Sequence, residues 1–198
     1  MNKTTAFAEI MESSLQTFVA QCWQWDTMPQ FGSLMTVQDG KRTIFALVYQ
    51  IQTGSMDPVR YPFPYKKTHE ELLAEQPQIF EFLKTNFSCI AVGYSQNGRV
   101  FHLMPPEPPK IHSFVSLASA EQYKEFMAKN GYLPLIFAFS GLIGSLDELL
   151  LAILKNQAQL RDGLKPEKMA DFIETYSMLT GNDYRRLKLF LQRAQSLQ

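Results

Sequence analysis

A change of hydrophobic period near Ser116 divides this sequence in two. Before it, apolar side chains recur at every second position, and beyond it they recur about every 3.6. A period of two belongs to strands, whose successive residues face opposite sides, and 3.6 belongs to helices. Just ahead of the change stands PPEPP, Pro105 to Pro109, a stiff polyproline-II-like spacer. Four of its five positions lack a backbone donor, so it ends a strand without starting a helix. The expectation is an α+β fold: a small N-terminal β-barrel of six or seven strands over residues 6–115, and a C-terminal helical bundle over 116–198.

Within the first part, TFVAQCWQW alternates, with Phe18, Ala20 and Cys22 on one face and Val19, Gln21, Trp23 and Trp25 on the other. GSLMTVQ and TIFALVYQIQT flank Asp39-Gly40, a pair that favours a hairpin turn, with the loop read over Gln38 to Lys41. In the second of these strands both faces are apolar, Phe45, Leu47, Tyr49 and Ile51 against Ile44, Ala46 and Val48. Such a strand belongs in a barrel wall covered by something else. A cleaner hairpin signal, Asn97-Gly98, joins FSCIAVGYS to RVFHLM, and Ile111 to Val115 can add one short strand. Between the hairpins lies a helical insertion at about 68–86. Thr68 and Glu71 have the spacing of a capping box, and Pro77 kinks or splits the run into Thr68 to Glu75 and Pro77 to Thr85.

Beyond Ser116, SAEQYKEFMAKN reads as a short helix, and the apolar run YLPLIFAFSGLIG follows. Three amphipathic helices come next. The first starts at Ser145 with Glu148 and stops at Gly163, the second runs from Pro166 to Gly181, and the third opens at Asn182. Their short connections imply antiparallel packing.

Charge narrows the function. Nineteen basic residues balance nineteen acidic ones, so the phosphate-driven affinity of a strongly basic nucleic-acid binder is excluded. A hydrophobic fraction of 45% excludes global disorder. Cys22 and Cys89 lie far apart, outside any metal-ligand spacing, and read as core thiols of a reduced protein. The opening MNKTTAFAEI lacks the apolar stretch of a signal peptide, and Leu133 to Phe139 is far too short for a membrane span. A cytoplasmic protein is expected, reaching a membrane only through a protein partner.

The succession AEIMESSLQTFVAQC, FGSLMTV, Asp39-Gly40 and TIFALVYQI resembles the HAS-barrel, the small β-barrel of HerA-type helicases and of the catalytic-ring subunits of ATP synthase. Gly32, Gly40 and Gly54 fall where that pattern has its glycines. QPQIF (Gln76 to Phe80), AVGYS (Ala91 to Ser95) and PPEPPKIH (Pro105 to His112) look more narrowly like stand-alone HAS-barrel proteins of cyanobacteria. The resemblance covers roughly residues 6–115, and the helical tail more loosely. In the motor proteins a P-loop ATPase domain follows the barrel. Here nothing matches G-x-x-x-x-G-K-[ST], and Gly141 to Ser145 lacks the lysine. The resemblance therefore implies subunit contacts and carries over no catalytic residue, no ATP and no other cofactor.

No enzyme motif stands out. His69 opens a helix and His102 alternates with Val100 and Met104 as a barrel-wall histidine, while the proline arm can present His112 to a partner. Tyr61, Phe63 and Tyr65 alternate with prolines that lower the entropy cost of presenting aromatics. With Trp23 and Trp25 these rings read as a stacking platform for a nucleic-acid accessory or, without the basic groove that should accompany stacking, as core aromatics. Arg185, Arg186, Lys188 and Arg193 make the last helix basic against Asp183 alone, as a solvated face or as a dock for an acidic partner. The reading is a non-catalytic interaction or assembly module that binds a larger protein complex and is compatible with self-association. The alternative is an accessory factor in nucleic-acid processing or repair.

Overall fold

The structure, a computed structural model, describes residues 5–57, 59, 63–159 and 165–195. Among the described residues seven strands form: β1 (Ala6–Ser13), β2 (Thr17–Cys22), β3 (Leu34–Asp39), β4 (Arg42–Ser55), β5 (Leu83–Gln96), β6 (Arg99–Phe101) and β7 (Phe114–Leu117). Six of them make a closed antiparallel ring in the order β1-β7-β3-β4-β5-β2, sealed where β2 pairs with β1 on one side and β5 on the other. β6 lies outside the ring, paired to β5. The helices are α1 (His69–Glu75), inserted between β4 and β5, then α2 (Ala120–Phe126), α3 (Leu133–Ala138), α4 (Leu146–Ala158), α5 (Pro166–Leu179) and α6 (Tyr184–Gln195). The α+β fold thus has its helices mostly after the barrel.

Alternation in the strands separates two apolar clusters. Ile44, Ala46 and Val48 of β4 point into the barrel, where they meet Phe18, Met35, Phe87 and Cys89. Phe45 and Leu47 point outward and pack with Ile90 and Val92 of β5 against the C-terminal helices. This is why β4 is apolar on both faces. α4 is the centre of the cover, with Leu149, Leu150, Ile153 and Leu154 at most 1% exposed. Burial of one such side chain is worth roughly 1.5–3 kcal/mol. α5 and α6 pack through Phe172, Tyr176 and Phe190, with the Tyr176 and Phe190 rings stacked at 4.5 Å. α6 buries only Phe190 and Ala194.

Two glycines bring the layers together. At Gly93 the β5 backbone touches the Phe126 ring, and at Gly32, with φ +77°, the loop before β3 lies on Ala152 of α4. In each case an added β-carbon would stand within 3 Å of its neighbour.

The turns follow the sequence closely. Asn97 and Gly98 both have positive φ, 52° and 71°, as a two-residue type I′ connection requires. The first hairpin is tighter than expected: Asp39 pairs with Arg42, so only Gly40 and Lys41 form the loop. Thr68 and Glu71 make the full capping box of α1. At Ser145 only the serine half is present, its hydroxyl accepting from the Glu148 amide.

Several expected bounds change. Pro77 does split the insertion, but its second half is a single 3-10 segment, Pro77–Phe82, and Leu83 to Asn86 belong to β5. Leu83, Thr85 and Phe87 continue the alternation of the strand, and pairing with Ser55, Thr53 and Ile51 of β4 draws them into it. β2 ends at Cys22, so Trp23 and Trp25 lie beyond the strand. β6 stops at Phe101, and the last short strand is Phe114–Leu117, two residues past the expected barrel limit. Pro134 sits in the first turn of α3, where its missing amide costs no helical bond. Asp183, not Asn182, caps α6, its Oδ1 accepting from the Arg186 amide at 3.1 Å. The stop at Gly163 lies outside the described residues.

Candidate functional site

One pole of the barrel carries the loops between β2 and β3 and between β4 and β5, together with the inserted helix. Nothing in α1 or in the following 3-10 segment is buried. The insertion is held by surface contacts instead. Trp25 stacks on Phe80 with centroids 5.4 Å apart, and His69 meets both rings edge-on, at 6.0 and 4.9 Å. The Thr85 hydroxyl donates to the Trp25 carbonyl, tying this cluster to β5, and Lys67 pairs with Glu75.

Between the insertion and the end of β4 opens a cleft of about 490 Å³. Met56, Phe63, Tyr65, Ile79 and Phe82 supply its apolar lining, and Ser55, Asp57, Gln76 and Gln78 its polar groups. Phe63 is 71% exposed and Phe82 55%, both high for large apolar side chains. Phe63 and Tyr65 meet edge to face at 5.7 Å, so each steadies the other. Tyr61, the third aromatic of the expected set, lies outside the described residues. No site pattern in the sequence marks Met56, Ile79 or Phe82. Phe82 belongs to an amphipathic-looking run, and only the 3-10 geometry after Pro77 turns it to the cleft.

The proline arm lies at the opposite pole. Arg42 Nη2 donates to Asp39 Oδ2 at 3.0 Å and to Glu107 Oε2 at 2.7 Å, and the Ser13 hydroxyl donates to the Pro109 carbonyl at 2.5 Å. The hydrogen bond to Glu107 raises the Arg42 guanidinium above its ordinary value. His112, at φ +66°, donates its amide to the Ile10 carbonyl, and its Nδ1 lies 2.6 Å from Glu9 Oε1. The arm therefore straps the barrel, and His112 stays on the surface while already engaged by Glu9.

The four cations of α6 divide. Arg186 makes a two-point contact with Asp147 of α4, Nη2 to Oδ1 at 2.8 Å and Nε to Oδ2 at 3.2 Å, and lies over the Tyr176 ring. Arg193 meets Glu148 at 2.6 Å. Arg185 and Lys188 are exposed. Two of the four thus fasten α6 to the start of α4, and the outward basic patch is smaller than the sequence suggests. The spacing was the available signal, since 186 and 193 share a helix face and Asp147-Glu148 is a matching acidic pair.

His102 Nε2 lies 2.9 Å from the Phe126 carbonyl, and its ring meets Phe126 edge-on at 4.7 Å. Burial raises the Cys22 thiol to about 11 and pushes Cys89 up as well, so both are inert in the barrel interior. Among the described residues no group of three or more His, Cys, Asp or Glu could hold a metal ion, and no helix is long and apolar enough to cross a membrane. Neither the models of known protein families nor the curated proteins give a match to this sequence.

Proposed function

We propose that this protein is a non-catalytic interaction or assembly module that holds an apolar segment of a larger protein complex in the cleft between Met56, Phe63 and Phe82. The carrying observation is an insertion that buries none of its own residues yet presents large apolar side chains around one concavity. Exposed apolar groups gathered in this way are suited to covering a partner's side chain. The resemblance to HAS-barrel proteins, whose barrels make subunit contacts, points in the same direction. In this reading α4, α5 and α6 form a small antiparallel bundle that stiffens the barrel wall, and Arg185 and Lys188 add a secondary contact for acidic groups.

Crosslinking and affinity capture from the cells that make the protein test this, with wild type beside a Phe63→Ala, Phe82→Ala double variant. A stoichiometric protein partner is expected with wild type, and its recovery should fall at least about tenfold with the variant. Recovery of the bare protein from crosslinked wild-type cells would overturn the reading.

A further inference from the structure

Closure of the ring leaves the far half of β4 without a neighbour on its β3 side. β4 is paired with β3 only as far as Val48, where the last bonds are Val48 N–H to the Ser33 carbonyl and Gly32 N–H to the Val48 carbonyl. β4 nevertheless continues to Ser55, paired on its other side with β5 down to Leu83. A bulge between Val48 and Gln50 marks the point of departure.

The ladder pattern fixes which groups face outward. Met56 N–H donates to the Phe82 carbonyl, so 56 and 82 form a hydrogen-bonded pair. In an antiparallel ladder such pairs alternate with pairs that do not bond each other. Gly54 with Lys84 and Gln52 with Asn86 are therefore bonded, and Ser55, Thr53 and Ile51 turn their N–H and C=O groups away from β5. The short 2.7 Å contact between the Thr53 and Thr85 hydroxyls fits, because side chains come closer in the non-bonded pairs. Among the described residues no hydrogen bond reaches the outward backbone groups of these three residues.

Open edges usually carry a charge or a proline that discourages pairing. Tyr49 to Ser55, YQIQTGS, has neither. A partner strand thus meets no charge along this edge, and a whole chain of zero net charge does not repel its own copy. We propose that two copies of this chain associate about a two-fold axis at Thr53, each adding its β4 edge to the other's. Pairing Ile51 with Ser55 of the other copy, and Thr53 with Thr53, satisfies all three residues on each side with about six hydrogen bonds. The ribbons of the two barrels then form one continuous sheet. This self-association goes beyond the reading of the cleft, with which it shares Ser55.

The symmetry gives a sharp test on the full chain. Paired across the axis, the two Thr53 Cα atoms stand roughly 5.5 Å apart, within the span of a disulfide. Thr53→Cys should give a covalent dimer on mild oxidation, while Glu121→Cys, exposed on α2, should stay monomeric. Cys22 and Cys89 are buried and do not interfere. By sedimentation the wild type should be a dimer, and Thr53→Lys, which sets like charges directly opposite, should raise its dissociation constant at least about tenfold with an unchanged circular dichroism spectrum. A monomeric wild type, an absent Thr53→Cys crosslink, or a dimer indifferent to Thr53→Lys would each overturn the proposal. Should Thr53→Lys misfold, the crosslink decides alone.

Discussion

At Gly93 a β-carbon would stand 2.5 Å from the Phe101 carbonyl oxygen and 2.7 Å from Phe126 Cε2. The first neighbour is backbone of the adjacent strand, which cannot move without disturbing the pairing of Tyr94 with Phe101. The second is a fully buried ring. Gly93→Ala should therefore lower unfolding stability by about 2 kcal/mol, in the range of overpacked cores, measured by urea denaturation. Gly98→Ala offers a useful contrast. Its added carbon meets nothing within 4 Å, so only the left-handed backbone is penalised, by about 1 kcal/mol. If the two variants lose equal stability, close packing at Gly93 is not the cause. In the sequence Gly98 announces itself by its place after Asn97, whereas Gly93 sits in an ordinary alternating strand. Nothing local in AVGYS tells that Phe126, far along the chain, presses on it.

The last helix shows the same contrast between elements. α6 is fastened by two kinds of contact, the ion pairs Arg186–Asp147 and Arg193–Glu148 at its surface and Phe190 beneath them. Arg186 and Asp147 are each about a third exposed, so solvent screens their pair. A double-mutant cycle with Arg186→Ala and Asp147→Ala should give a coupling of only about 0.5–1 kcal/mol, shrinking in high salt. Phe190, 2% exposed and stacked on both Phe172 and Tyr176, should cost roughly 3–5 kcal/mol as alanine. If salt bridges rather than packing held α6, the two results would be reversed. Elements of this kind were legible where a local pattern carried them: the doubly apolar β4, the Asn97-Gly98 hairpin, the Thr68 box and the helical period beyond Ser116. Pairing partners were not. Leu83 to Asn86 continue an apolar run that suits a helix, and only β4 beside them makes them strand. The division of the α6 cations likewise depends on where α4 starts in space. The cleft was legible only in part: alternating prolines and aromatics marked Phe63 and Tyr65, but Met56 and Phe82 join them through the fold.

For the whole molecule, buried acids set the alkaline limit. Burial raises Cys22 to about 11 and Tyr176 to about 12, and pushes Cys89, Tyr123 and Tyr132 up too. Each of these groups is held neutral in the fold but ionises at its ordinary value when the chain unfolds, 9.0 for a thiol and 10.0 for a phenol. A raised folded value means the stabilising contribution is complete below the unfolded value and is lost as pH climbs toward the folded one. The urea midpoint should therefore hold steady across neutral pH and decline from about pH 9 upward. A midpoint still level near pH 11 would contradict it.

β7 has four residues and fills the gap between β1 and β3. On a ribosome that gap stays open while most of the barrel has already emerged. β1 and β3 then expose bare margins, and the outer wall at Phe45 and Leu47 lacks the helices that later shield it. Completion of the ring at Leu117 is followed closely by the synthesis of α2 to α4. The nascent chain thus passes through a vulnerable interval whose length is set by translation speed, when a chaperone would have most to hold.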